Sequence, residues 1–390
     1  MYTDSSYLDW PFFDDHHRLL AQELTAWCEQ HLPVPHDDVD RACKSLVAML
    51  GEGGWLTYSA VDPSNVQALD VRSLCLIRET LARFDALADF AFAMQGLGTG
   101  AISLFGTDVQ RQRLKETRNG KQLSAFALTE AQSGSDVANI TMTATREGDS
   151  YILNGEKTWI SNGGIANVYC VFARTSDERA NGKGAKGLTA FIVDSETLGF
   201  SIKERLHTIA PHPLATLNFD NVRIPLANRI GEEGQGFKIA MSVLDVFRST
   251  VGAAALGFAK RALAETVARV QSRELFGNPL IELQMVQGHI AQMALDVDAA
   301  ALLIYRAAWT KDNGAARVTK EAAMAKLYAT DHAQKVIDTA VQLHGGDGVR
   351  SGTVVETLYR DIRALRIYEG ASDVQKIVIA RQVMQDAAKQ

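Results

Sequence analysis

The 390-residue chain has only four cysteines, Cys28, Cys43, Cys75 and Cys170, with no Cys-x-x-Cys pair and no cysteine–histidine cluster of zinc type. A disulfide framework is not expected, and neither is a metal site; the thiols read as reduced and buried. There is no long run of lysine or arginine, and the formal charge is −6, which weighs against nucleic acid as a partner. No stretch approaches the roughly 20 uninterrupted apolar residues of a membrane span. Met1 to Tyr7 lack the basic and apolar regions of a signal peptide and the arginines of a transit peptide, so a cytoplasmic protein is expected. Repeats and low-complexity segments are missing too.

What the chain does have is core-forming capacity: 46% of it is hydrophobic and 22% charged. Its length calls for two or three domains. From Phe12 to about Lys115 apolar stripes at helical spacing succeed one another: Leu19, Leu20, Leu24, Trp27 and Cys28, then Leu46, Val47 and Leu50, then Leu74, Ile77, Leu81 and Phe84. Near Leu123 the period changes. Asn139 to Ala144 alternates, Gly148-Asp149-Ser150 turns the chain, and Asn154-Gly155 is a hairpin signal. Strands are expected at Val168 to Ala173, Leu188 to Val193 and Ala215 to Ile224, with Asn181-Gly182-Lys183-Gly184 among the separators. Past Pro225 the helical period returns, with Ile290, Met293, Val297, Ala300, Ile304 and Ala308 on one face. The fold class is therefore mainly α with an inserted antiparallel β-domain: a helical N-terminal domain over 1–119, a small β-barrel or sandwich over 120–230, and a C-terminal four-helix bundle over 231–390.

Six places carry possible chemistry, most with a plain structural alternative. Phe126-Ala127-Leu128-Thr129-Glu130 through Ser133-Gly134-Ser135-Asp136 groups hydroxyls and exposed backbone at a strand end, suited to a polar heterocycle or to a simple turn. Trp159 and Ser161, two apart on a strand, share a face able to stack on and hydrogen-bond a flat ring, or the tryptophan belongs to the core. Arg248 lies in an apolar helix with Asp245 three residues back, an ion pair on one face. Arg273 and Phe276 sit in an interhelix loop that could clamp a nucleotide. Gln342-Leu343-His344-Gly345-Gly346 ends a helix where backbone can approach a phosphate, or merely caps it. Finally, Tyr368-Glu369-Gly370-Ala371 breaks two helices, and Ser372 with Gln375 makes a capping-box pattern. Glu369 is either a surface complement to a helix dipole or a base on a rigid corner.

Taken in order, Thr-Glu-x-x-x-Gly-Ser-Asp, Trp-Ile-Ser-Asn-Gly-Gly, Arg-x-x-Phe-Gly, Gln-x-x-Gly-Gly-x-Gly and Tyr-Glu-Gly, within a helical–β–helical plan, make the chain resemble the acyl-CoA dehydrogenase family from about residue 10 to 388. The resemblance implies FAD as cofactor, contacted by Phe126, Leu128, Thr129, Ser135, Trp159 and Ser161. Arg273, Phe276, Gln284, Gln342, Gly345 and Gly346 would hold the adenosine and pyrophosphate half of an FAD seated mainly in a neighbouring subunit, with Ala371 and Asp373 also near the cofactor. A homo-oligomer follows, a dimer of dimers. The resemblance makes Glu369 the base that removes the pro-R α-proton of an acyl-CoA thioester while hydride leaves for flavin N5, and it lines the substrate site with Ser135, Asp245, Arg248, Tyr368 and Gly370. An electron-transfer flavoprotein is the implied electron acceptor. The segment His207 to Thr216 departs from the usual family pattern. Ala371 replaces a common threonine, and Phe247 stands where one subgroup carries its base. Flavin monooxygenases and oxidases on this fold, which lack the Tyr-Glu-Gly glutamate, and a non-catalytic acyl-CoA-binding scaffold are the competing readings.

Overall fold

The computed structural model describes residues 4–177 and 184–389; Met1 to Thr3 and the separator residues Asn181, Gly182 and Lys183 lie outside them. The chain forms two compact units. One comprises Met1–Val34, Asp70–Asp89 and Asp245–Gln390; the other Pro35–Leu69 and Phe90–Leu244.

Ahead of the sheet come α1 (Asp15–His31), α2 (Val39–Glu52), α3 (Val71–Phe84), α4 (Ala86–Phe105) and the short α5 (Asp108–Arg111) and α6 (Leu114–Arg118). In α3 the Asp70 carboxylate caps the first turn by accepting from Ser73 N at 3.1 Å. Leu74, Ile77 and Leu81 are buried as the spacing predicts. The α1 stripe is narrower than expected: Leu20, Leu24 and Cys28 are buried, while Leu19 faces solvent. All four cysteines are free and buried.

The sheet consists of β1 (Ser124–Ala127), β2 (Thr143–Glu147), β3 (Ser150–Ser161), β4 (Val168–Arg174), β5 (Leu188–Asp194), β6 (Phe200–Arg205), β7 (Leu214–Pro225) and β8 (Arg229–Ile230). Its order is β6-β7-β3-β2-β4-β5-β8, with β1 pairing β4. Pairings are mainly antiparallel, but β1 and β2 each meet β4 in parallel. Tyr151, Leu153, Tyr169, Val171, Phe191, Leu217 and Phe219 interleave in one core. Asn154-Gly155 is not a hairpin: β3 runs straight through it, and the register against β7 shifts between Leu153 and Gly155. Gly155 has φ 138°, and a Cβ there would lie 3.0 Å from Met142, so the glycine serves the bulge that β3 makes against β7. The turn signal at Gly148-Asp149 makes the hairpin instead.

After the sheet come α7 (Gly236–Ser272), the ribbon β9 (Glu274–Leu275) with β10 (Asn278–Pro279), then α8 (Gln284–Asp312), α9 (Thr319–His344), α10 (Val354–Leu365) and α11 (Ser372–Ala387). An 18-residue window of α7 has mean hydropathy 1.4, yet 89% of that window is buried within the protein, as for a core helix. α9 packs on α8, α10 and α11. It supplies the side chains that hold the loop between α10 and α11.

Candidate active site

In the first unit the loop after α10 closes on itself. Ser372 N donates to Arg366 O at 3.1 Å. From α9, Asp331 Oδ1 clasps both ends, accepting from Arg366 Nε at 2.7 Å and Ser372 Oγ at 2.8 Å. Ser372 therefore does not cap α11; Ala371 holds the N-cap position without a side-chain bond. Gln375 makes no capping box either. Its Nε2 reaches back to Gly370 O at 3.0 Å, and Lys326 Nζ donates to the same carbonyl at 2.8 Å.

This clasp fixes two successive left-handed residues, Glu369 at φ 51° and Gly370 at φ 96°. A Cβ on Gly370 would lie 2.1 Å from Gln375 Nε2 and displace that amide, and the backbone conformation itself favours glycine. Glu369 has no such freedom, and its strained backbone persists because the surrounding bonds over-determine it. Among the described residues, five non-glycines have positive φ. Two are asparagines, Asn162 and Asn221, which tolerate it. The other three are Trp159, Phe276 and Glu369, each singled out in the sequence.

Glu369 Oε2 is enclosed and has no hydrogen-bond partner among the described residues. Burial pushes the carboxyl up to about 7, against the pull of Arg78, Lys326 and Arg248 and with a push from Asp89. The dipole-complement alternative, which required solvent around the group, is thereby disfavoured. Arg248 is buried and pairs with Asp245 at 3.1 Å, as the spacing predicts. Asp245 also accepts from Arg317 at 2.8 Å and Thr319 at 3.1 Å. Among the described residues Arg248 Nε has no hydrogen-bond partner, and it lies 3.7 Å from where a Gly370 Cβ would stand. Tyr368 is partly exposed; Asp373 is exposed and pairs with Lys376. A carboxyl half-ionised near neutrality, ringed by cations on α3, α7 and α9, can take up a proton from a carbon acid and release it again.

Elsewhere in this unit β9 and β10 form a two-residue hairpin rather than a plain loop. Phe276 and Gly277 both take positive φ at its turn, the geometry that matches strand twist. Phe276 is 90% exposed. Val270, Leu280 and Val286 pack with Leu343, which brings this hairpin and the start of α8 beside the end of α9. Arg273, Phe276, Gln284, Gln342, Gly345 and Gly346 are thus collected on one exposed surface. Among the described residues, chain neighbours aside, no heavy atom lies within 4 Å of a Cβ built on Gly345 or Gly346.

In the second unit the stretch after β1 is fixed by a residue to which the sequence reading gave no role. Glu130 is buried and accepts from Thr141 N at 2.6 Å, Thr141 Oγ1 at 2.8 Å, Met142 N at 2.9 Å and Lys157 Nζ at 2.8 Å. Lys157, fully buried, also donates to Leu128 O at 3.0 Å; burial lowers its ammonium to about 8. Thr129 O accepts from Thr158 N at 2.9 Å. Leu128 is buried, Thr129 half-buried and Ser135 exposed, while the Phe126 ring rests 4.9 Å from that of Phe172. Alternation alone would have put Trp159 and Ser161 on one face. Instead the β3–β7 register shifts between Lys157 and Ile160, and Trp159, at φ 58°, is 58% exposed. The core-tryptophan alternative fails. In this unit the exposed indole fits a flat ring, and in the first unit the exposed phenyl and open glycines fit the pyrophosphate end of a dinucleotide. In the departing segment, the His212 ring lies tilted 4.8 Å from that of Phe90, and Thr216 Oγ1 lies 2.8 Å from Thr158 Oγ1.

The sequence also gave no sign of the grouping of Asp14, His16 and His17, whose ligand atoms lie within 4.8 Å of one another. His17 Nδ1 accepts from Asp14 N, and both Nε2 atoms face Asp70, so hydrogen bonds account for it.

Profiles of the acyl-CoA dehydrogenase N-terminal, middle and C-terminal domains match residues 14–117, 125–222 and 234–384 in that order. The chain belongs to the acyl-CoA dehydrogenase family. This dehydrogenase is 44% identical over 289 residues to the acryloyl-CoA reductase (NADH) of Anaerotignum propionicum, covering 73% of this chain and 72% of that one. It is 37% identical to the rat mitochondrial short-chain specific acyl-CoA dehydrogenase, covering 93% and 89%. A glutaryl-CoA dehydrogenase from Mycobacterium smegmatis, solved in complex with FADH2, superposes with TM-score 0.86 at 25% identity, covering 95% of each chain. The enzyme is an FAD-dependent oxidoreductase, a flavoprotein acting on acyl-CoA.

Proposed function

We propose that the enzyme desaturates an acyl-CoA thioester between its α and β carbons, with Glu369 as the base that takes the α-proton. The observation that carries this reading is the unpartnered, enclosed Oε2 of a carboxyl raised to about 7 and held in a left-handed turn. An α-proton of a thioester is too weakly acidic for water to remove; a carboxylate of raised basicity, fixed in place, can remove it. Among the described residues the Glu369 backbone N–H donates to nothing, which leaves it available to the thioester oxygen as negative charge develops there. When bound, FAD supplies the hydride acceptor. Phe126, Leu128, Thr129, Ser135, Trp159 and Ser161 would hold its ring side. Arg273, Phe276, Gln284, Gln342, Gly345 and Gly346 would hold the adenosine half from a second copy of the chain, in a homotetramer. An electron-transferring flavoprotein would then reoxidise it.

The test is anaerobic addition of an acyl-CoA series to the yellow protein: one of the short-chain members should bleach the flavin. A protein that takes up FAD yet is bleached by no acyl-CoA defeats the proposal. For the shared cofactor site, Arg273→Ala should weaken both FAD retention and assembly in sedimentation; unchanged values for both count against it. The likeness to an acryloyl-CoA reductase favours a second reading, in which the same residues work in reverse and Glu369 returns a proton to the α carbon. Dithionite-reduced enzyme mixed with short enoyl-CoAs, compared with oxidised enzyme mixed with acyl-CoAs, gives the preferred direction.

A further inference from the structure

Three cations surround Glu369, and they are not equivalent. Arg78 on α3 is neutralised by Asp89 and Arg248 on α7 by Asp245. Lys326 on α9 is fully buried and, among the described residues, makes no ion pair within 4.0 Å. Its ammonium donates to a backbone carbonyl, Gly370 O, at 2.8 Å. A buried charge with only a neutral partner is an expensive arrangement. Packing does not explain it, because Gln375 Nε2 already satisfies the same carbonyl at 3.0 Å. A neutral side chain of the same length would have filled the space. The positive charge itself is what needs a reason, and the residue it acts on sits one position before that carbonyl.

We propose that Lys326 is the positioning residue for Glu369, pinning the Gly370 carbonyl so that the left-handed turn stays closed and supplying the unneutralised positive charge that keeps the carboxylate available as a base. This rests on the reading of Glu369 as the base. Lys326 is the second-largest of the cationic influences on Glu369, after Arg78, and Glu369 is the largest anionic influence on Lys326. Burial lowers the Lys326 ammonium to about 8, with Arg248 and Arg366 adding to the fall and Glu369 and Asp331 opposing it. Asp89 on α4 pushes Glu369 the other way. Between about 7 and 8 Glu369 is ionised and Lys326 is still charged; above that window the clasp loses its cation.

The experiment uses FAD-loaded enzyme carrying Lys326→Gln, Lys326→Met or Lys326→Arg. The Glu369 carboxyl is titrated by infrared difference spectroscopy, its band assigned by loss in Glu369→Gln, and the pH profile of flavin bleaching is recorded alongside. Gln and Met should raise the carboxyl midpoint by about one unit, the effect of removing one nearby charge. Both should abolish the alkaline limb. Met, which cannot donate to Gly370 O, should also lower the limiting rate by about tenfold, and Gln less. Arg, which keeps the charge, should leave the midpoint in place. An unmoved midpoint in Gln and Met variants that retain FAD overturns the proposal. So does an Arg variant that shifts as far as Gln, the comparison that decides if Met does not fold. A shifted carboxyl with an unmoved bleaching profile overturns instead the reading of Glu369 as base, and with it the catalytic part of the proposal.

Discussion

Arg78 grips Asp89 through two hydrogen bonds of 2.8 Å and gives Nη1 to Thr250 Oγ1 at 3.0 Å, with both charged residues nearly sealed from solvent. Burial alone would depress the guanidinium, but Asp89, and after it Glu369, raise it above its ordinary value. The pair sets how much positive charge reaches Glu369. Asp89→Asn removes the neutralising anion, so the Glu369 carboxyl should fall below about 7 and the acid limb of flavin bleaching should move down by about one unit. Breaking a buried pair also costs about 3–5 kcal/mol, visible in thermal unfolding. An acid limb that stays in place in FAD-loaded Asp89→Asn would show that Arg78 does not govern the base.

Glu369→Gln should retain the FAD spectrum and lose bleaching by acyl-CoA, since an amide cannot accept the α-proton. Its stability gives an independent reading. The folded carboxyl, at about 7, lies above its ordinary 4.5, so its contribution to folding is present below the lower value and disappears as pH rises through the upper one. Above pH 7 the Gln variant should therefore be more stable than wild type, by about 1–2 kcal/mol once partial exposure is allowed for. The difference should vanish in acid. Denaturant unfolding at several pH values checks this, and a pH-independent difference would mean that Glu369 titrates normally.

The helical–β–helical plan was legible because periods of 3.6 and 2 survive wherever one face is buried, as in α2 and the second half of β7. The order of five short motifs pointed to the family and, through it, to the residues of the candidate site. What the sequence hid was the second layer. Glu130 stood in a motif without a role of its own and Lys157 had none, because their pairing joins β3 to the stretch after β1, a long-range contact with no local mark. Lys326 lay in an alanine-rich helix, where nothing local marks a lone lysine as buried. Ser372 and Gln375 carried the spacing of a capping box, but Asp331 and Gly370 O compete for those side chains and win. At Asn154-Gly155 a turn dipeptide was used for a bulge, which needs the same backbone freedom. The left-handed conformation of Trp159 could not be read from a residue that rarely adopts it.

Glu130 satisfies two backbone N–H groups, a hydroxyl and a buried ammonium at once. Lys157 and those N–H groups hold its carboxyl below the usual range despite burial. Glu130→Ala strands Lys157 in the interior and should cost about 3–5 kcal/mol. Because Lys157 also holds Leu128 O, the loss should loosen FAD retention while leaving the infrared titration of Glu369 unchanged. Tight FAD binding in a destabilised Glu130→Ala protein would separate the clamp from the cofactor site.

Trp159 sits in left-handed backbone with much of its indole in solvent, two costs that folding alone does not recover. Left-handed geometry disfavours a side-chain-bearing residue by about 1–2 kcal/mol relative to glycine. Glycine in turn carries roughly 0.5–1 kcal/mol of extra unfolded-state entropy. Trp159→Gly should therefore leave the FAD-free protein as stable as wild type or slightly more so, by up to about 1 kcal/mol. If the indole is kept for the flavin, the same change should weaken FAD affinity by at least tenfold, the loss expected when a stacking aromatic is removed. Calorimetric unfolding of the FAD-free proteins and fluorescence titration with FAD measure the two effects separately. Loss of stability without loss of affinity would make Trp159 a packing residue after all. The opposite pattern, strain relieved and cofactor lost, is what a backbone distorted for binding requires.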